Sequence, residues 1–171
     1  MKYFQTLILL IFSLFIISCS EDDGGSTDPN VLTNENLAGT YNVTAFNAIA
    51  TESDTSGSSP DISTSDIVGS DFDNVTFTFT EAGIITTAGT FTVTATISED
   101  GTVYTETYPN PIDLTGTYSI SGTSLILSNN DGANVTIQNF SSNGLQLFFE
   151  QTEIEPNYRY EAEGTFTLVR Q

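Results

Sequence analysis

From Gly39 to the C-terminus the chain alternates. Thr, Val, Ile, Phe and Tyr recur at every second position, and Gly, Asn and Asp break the runs. Two is the period of a half-buried β-strand, whose successive side chains point to opposite faces. No segment after the first 36 residues carries the apolar spacing of an amphipathic helix. The pattern predicts an all-β domain of short strands joined by tight turns.

Several turns are specific enough to set register. Val75, Phe77 and Phe79 share one face, and Glu81-Ala82-Gly83 reads as a three-residue hairpin loop with Gly at the left-handed position. Counting across it pairs Phe79 with Ile85 and Phe77 with Thr87. The next run keeps Ile85, Thr87, Gly89, Phe91, Val93, Ala95 and Ile97 on one side, with Gly89 marking a bend and a row of Thr on the other. Asp100-Gly101 is a two-residue turn that pairs Ile97 with Tyr104 and Val93 with Tyr108. Gly122-Thr123 pairs Ile120 with Leu125 and Tyr118 with Leu127. Asn130-Asp131-Gly132 pairs Leu127 with Val135 and Leu125 with Ile137. Ile137 and Phe140 have opposite parity, which requires a bulge near Gln138-Asn139 before the Asn143-Gly144 turn. Leu145, Leu147 and Phe149 continue the face. The last strand carries Tyr158, Tyr160, Ala162, Gly164, Phe166, Leu168 and Arg170 on one side.

Two stretches read as loops: residues 50–70, polar apart from Ile62, Ile67 and Val68, and the acidic residues 150–157. The first strand, from Gly39 to about Ala48, is expected to place Tyr41, Val43 and Ala45 on one face. A meander of eight or nine strands removes its edges by closing into an up-and-down barrel. A β-sandwich is the alternative architecture.

The N-terminus changes the picture. Lys2 precedes an apolar run, Leu7 to Ile17, too short to span a bilayer, and Glu21-Asp22-Asp23 follows. That order is the order of a secretory signal peptide. Ile16-Ile17-Ser18-Cys19 resembles the lipobox of bacterial lipoproteins, a family in which the cysteine is acylated and becomes the first mature residue. The resemblance implies a lipid anchor on Cys19, with the membrane as a partner through that anchor and more than one acyl chain for stable attachment. Ser20-Glu21-Asp22-Asp23 is similar to the acidic export signal of surface lipoproteins, which implies the outer membrane with the domain facing the cell exterior. The expected organisation is a signal peptide over 1–18, the lipidated cysteine and an acidic tether over 19–36, and a folded domain over 37–171. A flexible tether of this length spans roughly 20–25 Å.

Charge and composition then exclude function classes. The chain has 171 residues, with 3 Lys+Arg against 22 Asp+Glu, a formal net charge of −19, no His and no Trp. Removing the signal takes away Lys2 and deepens the negative charge. Such a chain repels phosphate backbones and anionic headgroups, so nucleic acid is not expected as a partner. Cys19 is the single cysteine, so no disulfide supports the fold. Without His, a free thiol or a mature Lys, most nucleophile–base pairs are unavailable, and no enzymatic activity is expected. Glu106 is an isolated carboxylate on the apolar side. Asp66, Asp71, Asp73 and Asn74 offer oxygen ligands without the spacing of a calcium loop. No catalytic residue, metal or cofactor is assigned.

The domain from Leu37 to Gln171 resembles the lipocalin-like domain of bacterial envelope lipoproteins. Lipocalins open with Gly-x-Trp and carry a late Arg that packs over that ring. The matching positions are Gly39-Thr40-Tyr41, with Tyr in place of Trp, and Arg170. The family's middle motif has no counterpart in this sequence. The resemblance implies barrel closure through Tyr41 and Arg170, and a long first loop, residues 50–70, over the cup. Tyr104, Tyr108, Tyr158 and Tyr160, near strand ends, are the candidate ligand mouth, with Ile62, Ile67 and Val68 dipping towards it from that loop. The function expected is binding of a small neutral apolar or glycan ligand. The alternative is a structural or interaction protein whose barrel is filled by its own side chains.

Overall fold

The computed structural model describes residues 28–57, 59–112, 115–128 and 133–171. Cys19, the signal segment and the Asn130-Asp131-Gly132 turn lie outside them. One turn of helix, α1 (Asn34–Leu37), is capped by Thr33, whose hydroxyl accepts from the Asn36 amide. Eleven strands follow among the described residues: β1 (Gly39–Asp54), β2 (Asp61–Ser70), β3 (Thr76–Phe79), β4 (Ile84–Ala88), β5 (Thr90–Glu99), β6 (Thr102–Pro111), β7 (Thr115–Ser121), β8 (Ser124–Leu127), β9 (Asn134–Ser141), β10 (Gly144–Glu155) and β11 (Tyr158–Arg170).

Every pairing is antiparallel, and β11 pairs back onto β1. The ring β1-β3-β4-β7-β8-β9-β10-β11 is a closed eight-stranded up-and-down barrel. Three further strands extend it at one end. β1 is long enough to pair with β3 through Gly39–Asn42 and with β2 through Asn47–Asp54. β2 pairs with β5, and β5 with β6. Among the described residues β6 has no second neighbour, and β9 reaches β10 only as far as Glu150. Beyond the ring the sheet β6-β5-β2-β1-β11-β10 therefore projects as an open flare.

The hairpin turns produce the expected register. Phe79 faces Ile85, Ile97 faces Tyr104, Val93 faces Tyr108, Ile120 faces Leu125 and Tyr118 faces Leu127. Asn139 adopts φ 51°, and the β9–β10 register shifts beside it, which is the expected bulge. Gly89 takes φ 107° at the bend between β4 and β5, where a Cβ would lie 2.5 Å from the Asn74 carbonyl oxygen.

Four local expectations need correction. Leu125, not Leu127, faces Val135, a slip of two residues that keeps both on the inner face. The first strand carries a bulge between Val43 and Ala45, so Phe46, Ala48 and Ala50 continue the inner face and Ala45 leaves it. Residues 50–70 are no lid: their ends pair as the second half of β1 and all of β2, because a polar sequence still forms a ladder when both flanking strands offer backbone partners. Residues 150–155 likewise pair with β11.

The core lines the inside of the closed ring and reaches β5 through Phe91, which packs on Phe166. Tyr41, Phe77, Phe79, Ile85, Phe91, Leu125, Ile137, Leu147 and Leu168 are buried there. Burying one such side chain contributes about 1.5–3 kcal/mol. The Phe166 ring lies between Phe46, Phe77, Phe91 and Phe149, at centroid distances of 4.4, 5.5, 6.2 and 6.2 Å.

Candidate functional site

At the closed end, Arg170 reaches back over the first strand. Its guanidinium carbon lies 4.9 Å from the centre of the Tyr41 ring, and Nη2 donates to the Tyr41 hydroxyl at 2.6 Å. Nη1 donates to the Ala38 carbonyl at 2.8 Å, and Nη2 also donates to the Asn36 carbonyl. The Tyr41 hydroxyl in turn donates to the Leu37 carbonyl at 2.9 Å. Burial pushes the Tyr41 hydroxyl pKa up, with Arg170 partly offsetting it. A carbonyl cluster, a ring and a cation thus tie the last strand to the first.

An apolar pocket of about 300 Å³, partly open, lies among inward side chains of the barrel. Phe77, Ile85, Leu125, Val135, Leu147 and Phe149 are among its lining residues, and no polar side chain is. Their order follows from the hairpins, since each is an inward position of its strand. Ile112, in the link between β6 and β7, also reaches this cavity.

Farther along, cross-strand rows on the inner face change character. One row runs Phe149, Gly164, Ala48, Ile67, Ala95, Glu106 across β10, β11, β1, β2, β5 and β6. The next is Gln151, Ala162, Ala50, Ser65, Ile97, Tyr104. The next is Glu153, Tyr160, Glu52, Ser63, Glu99, Thr102. The outermost is Glu155, Tyr158, Asp54, Asp61. Apolar side chains thus give way to hydroxyls and carboxylates within three rows, roughly 7 Å apart along each strand.

Tyr104, Tyr108, Tyr158 and Tyr160 all project from this concave face. Tyr104 donates to a Glu99 carboxylate oxygen at 3.3 Å. The Tyr158 and Tyr160 hydroxyl pKa values are raised first by desolvation and then by nearby charge, Glu52 acting on both. Glu52 also acts on Tyr104, and Tyr108 on Tyr160. Of the three apolar residues expected at the mouth, Ile67 alone faces inward, opposite Ala48 and Ala95. Ile62 and Val68 have the opposite parity and are half exposed on the outer face, at 53% and 51%. Alternation forbids Ile67 and Val68 from sharing a side. The carboxylates of Glu52 and Glu153 share the tyrosine face but are invisible to a reading that makes their segments loops, whereas Glu99 follows Ile97 by parity in β5. Among the described residues no group of three or more acidic, His or Cys side chains converges as a metal site.

No protein-family model and no curated protein matches the chain. Among solved structures it is similar to the S-type phycobiliprotein lyase CPES from Guillardia theta, at 8% identity over 84% of this chain and 95% of that one, with a TM-score of 0.28.

Proposed function

We propose that the protein is a binding module whose lipocalin-like barrel takes a small neutral apolar molecule. The observation that carries this reading is the cavity of about 300 Å³ lined by aliphatic and aromatic side chains alone. That volume lies at the lower end of the range for small-molecule sites. A glycan fits it poorly, because a sugar brings hydroxyls that would lose water without gaining partners. The acidic surface disfavours an anionic ligand such as a fatty-acid carboxylate. We further propose that Cys19, by its resemblance to a lipobox cysteine, anchors the domain to the outer membrane facing outward.

The test is thermal unfolding of the protein against a panel of neutral lipids. A ligand at a hundred times its dissociation constant adds about 2.7 kcal/mol. Val135→Phe, which fills the cavity, should abolish the shift. If no compound moves the melt, the filled structural barrel becomes the better reading, and the four-sided packing around Phe166 favours it. The anchor is tested separately: Cys19→Ala should no longer partition into detergent, and a variant that still fractionates with the outer membrane removes that part of the proposal.

A further inference from the structure

The apolar pocket has a closed side and an open one. Phe77, Ile85, Leu125 and Leu147 are buried at its back. Ile112, Leu127, Val135 and Phe149 are only partly buried, so the pocket opens on their side. Its volume of about 300 Å³ holds about ten groups of the size of a water molecule or a methylene. Its lining offers no partner to a polar group, so a ligand that carries a hydroxyl or a carbonyl must leave it at the opening.

Asn110 stands on that side. It faces Phe91 directly across the β5–β6 ladder and so shares the inner face with it. The Phe91 ring packs on Phe166, with centroids 6.2 Å apart, and Phe166 lines the pocket. Ile112 lines it too, two residues on along the same face, a step of roughly 7 Å. Asn110 is half-buried, and its carboxamide has no hydrogen-bond partner among the described residues. Pro109 and Pro111 flank it. Proline fixes its own φ and keeps the residue before it extended, so this stretch of backbone is stiff. A carboxamide both donates and accepts, and one presented from a stiff segment loses little freedom when a ligand engages it.

We propose that Asn110 is the polar anchor of this pocket and that the ligand is a neutral amphiphile, with its hydrocarbon end among the pocket side chains and a hydroxyl or carbonyl group hydrogen-bonded to the Asn110 carboxamide. The inference rests on the pocket being a ligand site, as proposed above. A carboxylate head is not selected. Glu106 lies on the same face of β6 and repels it. Both described arginines are engaged elsewhere, Arg170 with Tyr41 and the Ala38 carbonyl and Arg159 with Glu161.

Two probes of one shape separate the anchor from the pocket: phenylbutanol with its hydroxyl at the chain end, and pentylbenzene, which has a methyl group in its place. Each is measured on the full chain by displacement of the neutral fluorophore N-phenylnaphthylamine. Asn110→Leu should weaken phenylbutanol about fivefold, the fold-change of an ordinary hydrogen bond, and leave pentylbenzene as tight or tighter. Tyr108→Phe, which removes the neighbouring inward hydroxyl, should leave the ratio of the two affinities unchanged. Val135→Phe should abolish both. Thermal melts confirm that each variant is folded, and Asn110→Ala carries the test if the leucine variant does not melt cooperatively. If both probes bind and the ratio is the same with and without the Asn110 carboxamide, or if Tyr108→Phe moves it instead, the anchor is overturned and the pocket stands. If neither probe binds the native chain, the anchor and the reading of the pocket as a ligand site fall together.

Discussion

Strand β11 passes through two environments. In its C-terminal half Phe166 and Leu168 sit among the rings and aliphatic groups of the closed barrel, with Leu168 1% exposed. In its N-terminal half Tyr158 and Tyr160 look across an open bowl at carboxylates. The backbone ladder is the same in both halves, paired residue by residue with β1 and β10. Strand β5 repeats the contrast, from buried Phe91 to Glu99. What differs is the inward side chain. Bulky apolar groups draw the opposite wall in, because closure removes their surface from water. Carboxylates and serines gain nothing from closure and would lose hydration, so the same sheet stays open where they begin.

Truncations on either side of that boundary test the contrast. Phe91→Ala, where β5 packs on the aromatic layer of the barrel, should cost about 3–5 kcal/mol by denaturant unfolding. A loss near zero would show that the aromatic layer does not hold the ring together. Arg170→Ala should cost about 1–3 kcal/mol, because it strands the Asn36 and Ala38 carbonyls as well as removing the cation from Tyr41.

The next effect appears only in base. Burial pushes the Tyr118 hydroxyl, which donates to the Thr80 carbonyl at 2.6 Å, up to about 12. Below about pH 10 it is protonated whether the chain is folded or unfolded. Above that, the unfolded chain releases a proton that the folded one retains, so stability falls as pH rises towards 12. Tyr118→Phe should flatten that part of the stability curve, and an unchanged slope would argue that the ring is hydrated. The smallest effect belongs to the flare: Val103→Ala, at a position 66% exposed, should stay within about 0.5 kcal/mol. Hydrogen exchange should likewise be faster in β6 than in β3 or β11's second half.

The closed half was the legible half. Its turns carry Gly or Asn where the backbone needs them, and its strands carry a continuous apolar stripe, so counting across Glu81-Ala82-Gly83 sets Phe79 opposite Ile85. In the flare the β5–β6 hairpin carries that signal through Asp100-Gly101, and β2 lacks it. In β2, Ser63 and Ser65 share the inner face with Ile67, and Ile62 and Val68 lie outside, so neither face looks apolar. The Thr44 bulge is hidden for another reason. Ala45 and Phe46 are both apolar, and either could continue the face begun by Tyr41 and Val43. Of the mouth, the four tyrosines were legible by parity. Their neighbours Glu52 and Glu153 were not, because an uncovered polar face has the composition of a loop.

The outer edge of β6 has a further consequence. Ile112 donates its amide to the Gly89 carbonyl at 3.0 Å, which makes the even positions of this strand the ones whose amides turn towards β5. Pro109 and Pro111 therefore fall where an amide would point away from the sheet. They cost the ladder nothing and delete two donors from a rim that would otherwise template the strand of another molecule. Glu106 adds charge beside them. Two molecules that meet edge to edge at this rim find no continuous row of donors, and such encounters are kept from growing into stacked sheets.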